Sequence, residues 1–168
     1  MLSQFKRTTG RNDLLYRGVS DYFRFADTLV SGPRVPVNAG GDFGFGIYYT
    51  PSYSLARVYA TAQGIILAYD VSEGFASHTV KELGDEEWER TVKWYLSRWR
   101  ISIGDVVENM EIEEEVDFAC GPVTSSVQRQ LVEDCHTAIP TAARQVCAKT
   151  QAAVNYMAPR LVAIICMS

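Results

Sequence analysis

Apolar residues recur along this chain in two different rhythms. Trp88, Val92, Tyr95 and Trp99 fall at i, i+4, i+7 and i+11, the spacing of one helix face, and predict an amphipathic helix from Asp85 to Arg98. Shorter apolar runs predict strands: Leu14–Ser20, ending in the pair Arg17-Gly18, then Ile47–Thr50, Ile65–Val71 and a last one over Leu161–Met167. Pro51 and Ser52 stop the second strand, and Ser52 or Ser54 caps a helix through Ala60. Mixed helical spacing over Asp21–Val30, Ser125–Asp134 and Gln151–Met157 predicts three further short helices. Ser31–Gly41, with two prolines and three glycines, reads as a loop at a cleft mouth. The acidic stretch Glu108–Asp117 reads as a solvated edge. Elements mixed in this order predict an α+β fold whose antiparallel and mixed strands wrap a cleft. There is no repeat, linker or low-complexity segment, which predicts one domain over residues 1–168.

Composition narrows the function classes. A chain of 168 residues is long enough to bury about 70% of its unfolded surface. The net charge of −4 argues against strong nucleic-acid binding through phosphates. No apolar run reaches the length of a membrane span, so no membrane partner is expected. Met1–Asn12 lacks the apolar core of a signal peptide, which points to a cytoplasmic protein, although a processed secreted effector would look the same. The four cysteines, Cys120, Cys135, Cys147 and Cys166, form no Cys-x-x-Cys pair, so no metal site is expected. Cys120, Cys147 and Cys166 lie in apolar contexts and read as buried free thiols.

The chemistry gathers in Gly41-Asp42-Phe43-Gly44-Phe45-Gly46-Ile47-Tyr48-Tyr49-Thr50, with Tyr59 following Tyr48 by eleven residues. The glycines allow tight turning and close approach to a ligand. A strand bearing Tyr48 and a helix bearing Tyr59 can bring two rings together as a clamp for a flat heterocycle. Tyrosines in such elements are, however, more often simple packing.

These pieces together resemble the ADP-ribosyltransferase superfamily. Gly44-Phe45-Gly46-Ile47-Tyr48-Tyr49 matches its Gly-x-Gly-Ile-Tyr-Phe motif, Tyr59 has the expected spacing, and Arg17-Gly18-Val19-Ser20 stands where His-Gly-Ser is usual. More closely, the chain resembles a bacterial and fungal branch with Asp-Phe-Gly-x-Gly-Phe-Tyr-Leu-Thr. Asp117-Phe118-Ala119-Cys120-Gly121-Pro122-Val123 and Gln145-Val146-Cys147-Ala148-Lys149-Thr150 match that branch's two later strands. The resemblance covers roughly residues 12–150.

It implies two small packed β-sheets around an NAD+ cleft with flanking helices, and a mono-ADP-ribosyltransferase that uses NAD+ as substrate. The acceptor would be a protein, a nucleic acid or a small molecule. Tyr48 and Tyr59 would then stack on nicotinamide, and the Gly18 backbone would hold its carboxamide. Arg17 would fork onto a phosphate or a ribose hydroxyl, with Ser20 and Thr50 as supporting hydroxyls. Gln145 would take the place of the usual glutamate at the ribose, without its charge, and Glu133 and Asp134 are the alternatives. Arginine for histidine and glutamine for glutamate leave two other readings open. One is NAD+ glycohydrolysis; the other is a catalytically degenerate ADP-ribose-binding or protein-interaction module.

Overall fold

The computed structural model describes residues 13–21, 25–26, 32–35, 40–97, 116–125 and 138–167. It is an α+β arrangement, ordered as β1 (Leu14–Val19), β2 (Gly40–Gly41), β3 (Gly44–Phe45), β4 (Ile47–Tyr49), α1 (Tyr53–Ala60) and β5 (Ile65–Asp70). Then follow β6 (Val80–Glu82), α2 (Asp85–Ser97), β7 (Phe118–Thr124), β8 (Pro140–Ala148), α3 (Gln151–Met157) and β9 (Leu161–Cys166). Three strands form one sheet in the order β1-β5-β9, and four form another in the order β4-β8-β7-β6. A two-stranded ribbon, β2-β3, stands beside them. All pairings are antiparallel except β6 with β7, and a bridge between Tyr16 and Thr50 ties the two larger sheets together.

Side chains alternate across each strand, so each sheet contributes one face to a shared core. Leu15, Ile65, Leu67 and Tyr69 of the first sheet meet Ile47, Tyr49, Phe118, Cys120, Val146 and Ala148 of the second, together with Val154 and Met157 of α3. The outer face of the three-stranded sheet is closed by α1, through Ala56 and Ala60 against Ile66. The outer face of the four-stranded sheet is closed by α2, whose Trp88 and Val92 pack on Phe43, Ala119 and Cys147. The predicted helix stripe therefore does face a core, although Trp99 lies outside the described residues.

Local signals explain the helix starts. The Ser52 hydroxyl accepts a hydrogen bond from the Leu55 amide, at 3.2 Å, and caps α1. Thr150 does the same for α3, accepting from Ala153 at 3.1 Å. That role takes Lys149 and Thr150 out of the strand predicted over Gln145–Thr150, which ends at Ala148 and begins much earlier, at Pro140. Two elements were not anticipated. The ribbon is built mainly of glycine, which has little strand preference, and β6 carries Val-Lys-Glu, with no apolar alternation to reveal it. Phe25 and Ala26 are helical within the predicted Asp21–Val30. The predicted helix Ser125–Asp134 and the acidic stretch lie almost wholly outside the described residues, as do Cys135, Glu133 and Asp134. Cys120 and Cys147 are buried, as expected, whereas Cys166 is exposed on edge strand β9. Among the described residues no helix is long and apolar enough to cross a membrane.

Candidate functional site

A cavity of about 950 Å³ opens between the two large sheets, beside the C-terminal end of α3 and the outer rim of α1. Arg17, Gly18, Tyr59, Arg34, Tyr49 and Tyr69 are among the residues that line it. Strand β1 contributes Arg17 on the inter-sheet face, directly across from Leu67 in the antiparallel ladder with β5. That register makes Tyr69, paired with Leu15, the diagonal neighbour of Arg17 on the same face. Tyr49 comes from the other sheet, and its ring meets that of Tyr69 edge to face at 5.1 Å. Tyr59 projects from α1 and is 51% exposed. Among the described residues, Arg17 makes no hydrogen bond or ion pair, and neither does Arg34 at the rim. The surface salt bridge that would explain Arg17 trivially does not occur among the described residues. Among the described lining residues, Asp21 is the one carboxylate.

Tyr48 and Gln145 stand elsewhere. Strand β4 turns Ile47 and Tyr49 toward the cavity, so Tyr48, between them, faces the helix α2 layer. Its ring packs on Phe43 with centroids 6.3 Å apart. Its hydroxyl accepts from the Phe43 amide at 2.9 Å and donates to the Gly44 carbonyl at 2.7 Å. Burial, with Cys147 close by, pushes this phenol well above its usual range. The expected clamp of Tyr48 against Tyr59 is thus not assembled. It is the neighbouring residue, Tyr49, that shares the cavity with Tyr59.

Gln145 is buried on that same outer face, where its amide donates to Asp42 Oδ2 at 2.8 Å and to the Pro122 carbonyl at 3.1 Å. Asp42 Oδ2 also accepts from the Thr124 amide at 2.8 Å. This buried carboxylate went unremarked in the sequence, where Asp42 reads only as part of a glycine-rich turn. Thr50 is likewise engaged internally: its hydroxyl donates to the Arg144 carbonyl at 2.7 Å and accepts from the Ser52 amide at 3.1 Å. Ser20 lines the cavity.

The glycines answer to the protein itself. A Cβ on Gly44, whose φ is +83°, would collide with the Tyr95 ring, and one on Gly46, at φ +158°, with the Cys147 sulfur. A Cβ on Gly41 would come within 2.7 Å of the Tyr48 ring. Close approach is needed, as expected, and the atoms approached are the protein's own side chains, Tyr95, Cys147 and Tyr48. Gly18 is similar, since its Cβ would overlap the Ala56 carbonyl and hold β1 away from α1. The short spacing of β1 and α1 is what brings Tyr59 beside Arg17 at one cavity.

Compared with known proteins, the chain matches no protein-family model and no curated protein. The assignment of chemistry therefore rests on the site and on the motif resemblance. Sequence alone did not single out Tyr69 or Arg34. The signal for Tyr69 was available in principle, as a polar-tipped residue at an inward position of an otherwise apolar strand, Ile-Ile-Leu-Ala-Tyr-Asp.

Proposed function

We propose that this chain binds NAD+ in the inter-sheet cavity and acts as a mono-ADP-ribosyltransferase. The observation that carries the reading is the meeting of Arg17, Gly18 and Tyr59 on one cavity of about 950 Å³, with Arg17 unpaired. These are three of the residues on which the ADP-ribosyltransferase resemblance rests. The size suits a dinucleotide-scale ligand, since small-molecule sites commonly span about 300–1,000 Å³. An unpaired, partly buried guanidinium is costly to desolvate, and a phosphate or ribose oxygen answers that cost with charge-assisted hydrogen bonds. Exposed Tyr59 offers a ring face for stacking at the mouth.

In the reaction, the bond between ribose C1′ and the nicotinamide nitrogen breaks, and nicotinamide leaves with the electron pair. The acceptor's nucleophile bonds to C1′ and gives up its proton. The ribose passes through oxocarbenium character, as in glycoside hydrolysis. Arg17 holds the anionic end of the substrate and Tyr59 packs the leaving ring. Water in place of the acceptor makes the same step a glycohydrolysis.

Titration calorimetry with NAD+ tests binding, and release of nicotinamide from labelled NAD+ in a lysate tests transfer. Arg17→Gln is expected to weaken NAD+ about tenfold or more, the scale of a lost charge-assisted contact. No binding by the wild-type chain at millimolar NAD+ sinks the reading. A second reading, a binder without turnover, is favoured by one specific observation: the Gln145 amide and the Tyr48 hydroxyl are both committed to internal hydrogen bonds away from the cavity. Tight binding with no nicotinamide release supports it.

A further inference from the structure

Two side chains on the cavity floor have no role in packing that needs their polar ends. Tyr49 is 4% exposed and Tyr69 is 7% exposed, so both rings are core residues. Phenylalanine would supply the same edge-to-face contact. Yet neither hydroxyl makes a hydrogen bond with any described residue. Buried hydroxyls are normally partnered, because leaving one unanswered costs roughly 1–3 kcal/mol. Thr124 Oγ1 is the one sealed side-chain oxygen or nitrogen without a partner among the described residues. The two phenol oxygens are therefore not sealed; they open on the cavity they line.

Their neighbourhood states what they can bind. Arg17 is close enough for its charge to act on both phenols, yet burial outweighs it and raises both above the ordinary tyrosine range. Both are accordingly protonated at neutral pH and can donate. Among the described residues, the charged side chains that line the cavity are Arg17, Arg34 and Asp21, and Ser20 adds a hydroxyl. Two neutral donors beneath an unpaired guanidinium make a cradle for anionic oxygen.

We propose that the hydroxyls of Tyr49 and Tyr69, together with the Arg17 guanidinium, form a subsite for the oxygens of a phosphate or pyrophosphate group on the floor of the cavity. This deepens the NAD+ reading by assigning the pyrophosphate end of the ligand to the floor and the flat ring to Tyr59 at the mouth. No covalent step is involved.

The test uses Tyr49→Phe, Tyr69→Phe and the double variant in the full chain, with inorganic pyrophosphate, NAD+ and nicotinamide as separate calorimetric probes. Each single substitution is expected to weaken pyrophosphate and NAD+ about tenfold, on the scale of one hydrogen bond to a charged group. Nicotinamide affinity should stay the same. Because no protein partner is lost, Tm should hold or rise; a clear fall in Tm means the hydroxyls serve the fold, and overturns the subsite. Variants that bind pyrophosphate and NAD+ as the wild type does overturn the subsite and leave the NAD+ reading standing. Tyrosine-dependent pyrophosphate binding with no NAD+ binding does the reverse. Wild-type protein that ignores millimolar pyrophosphate overturns the subsite whatever NAD+ does.

Discussion

The two faces of the four-stranded sheet use the same residue types for opposite ends. On the α2 face, Gln145 and Asp42 bond to each other and to backbone, and Tyr48 bonds to backbone, with contacts between 2.7 and 3.1 Å. On the inter-sheet face, one residue further along β4, neither the Tyr49 hydroxyl nor the nearby Arg17 has a hydrogen-bond partner among the described residues. Polar groups that answer each other stabilise a fold and have nothing left for a ligand. Polar groups left open at the edge of a core lower stability and are retained where something else completes them. Adjacent tyrosines in one three-residue strand thus belong to different economies, one structural and one available for binding.

The comparison breaks most visibly at Trp88. It is buried on the sealed face, and its indole donates to the Pro122 carbonyl at 2.8 Å. Trp88→Ala should cost about 3–5 kcal/mol in urea unfolding. A loss below about 1 kcal/mol would mean that this face is not a real core. Gly18→Ala sits between the two regions. Its Cβ must push β1 from α1, with an expected stability loss of about 1–3 kcal/mol. Lost NAD+ affinity without lost stability would instead return Gly18 to a ligand role.

Gln145→Glu sharpens the contrast further. The new carboxylate would lie against Asp42, which now accepts the Gln145 amide at 2.8 Å. Two like charges this close cannot both ionise freely. The variant should lose about 1–3 kcal/mol at pH 8, the scale of an unsatisfied buried group. A raised folded-state carboxyl pKa leaves stability intact below the unfolded value and removes it as pH rises, so the loss should shrink toward pH 4. A stable variant with faster NAD+ turnover would show that Gln145 acts on substrate after all.

The smallest expected effect lies away from both faces, at Asp117. Its carboxylate accepts from the Thr150 hydroxyl at 2.5 Å and pairs with His78 at 3.1 Å, and these contacts, the first above all, hold its pKa below the usual carboxylate range. A depressed carboxyl pKa contributes stability above the unfolded value, near pH 3.9, and loses it as pH falls through the folded one. Asp117→Asn should therefore cost under about 1 kcal/mol at pH 7, given its exposure, and progressively less as pH falls below the unfolded value. Destabilisation that does not shrink as pH is lowered, in chemical unfolding, would refute the assignment.

Much of the fold was legible in the residues. The i, i+4, i+7 spacing located α2, the Pro51-Ser52 break located the start of α1, and apolar runs located β1, β5 and β9, because these signals are local and act through backbone preference and capping. Of the candidate site, Arg17, Gly18 and Tyr59 were legible as a group and do meet at one cavity. Tyr48 and Gln145 were assigned to it by spacing along the chain, and spacing cannot say which face of a strand looks at which layer. A shift of one residue exchanges the two faces of a strand. Only the pairing of β4 with β8, and the choice of which face α2 covers, set Tyr48 into packing and Tyr49 into the cavity. The same holds for the glycines: their sequence guarantees close approach, but which neighbour approaches is decided by contacts between residues far apart in the chain.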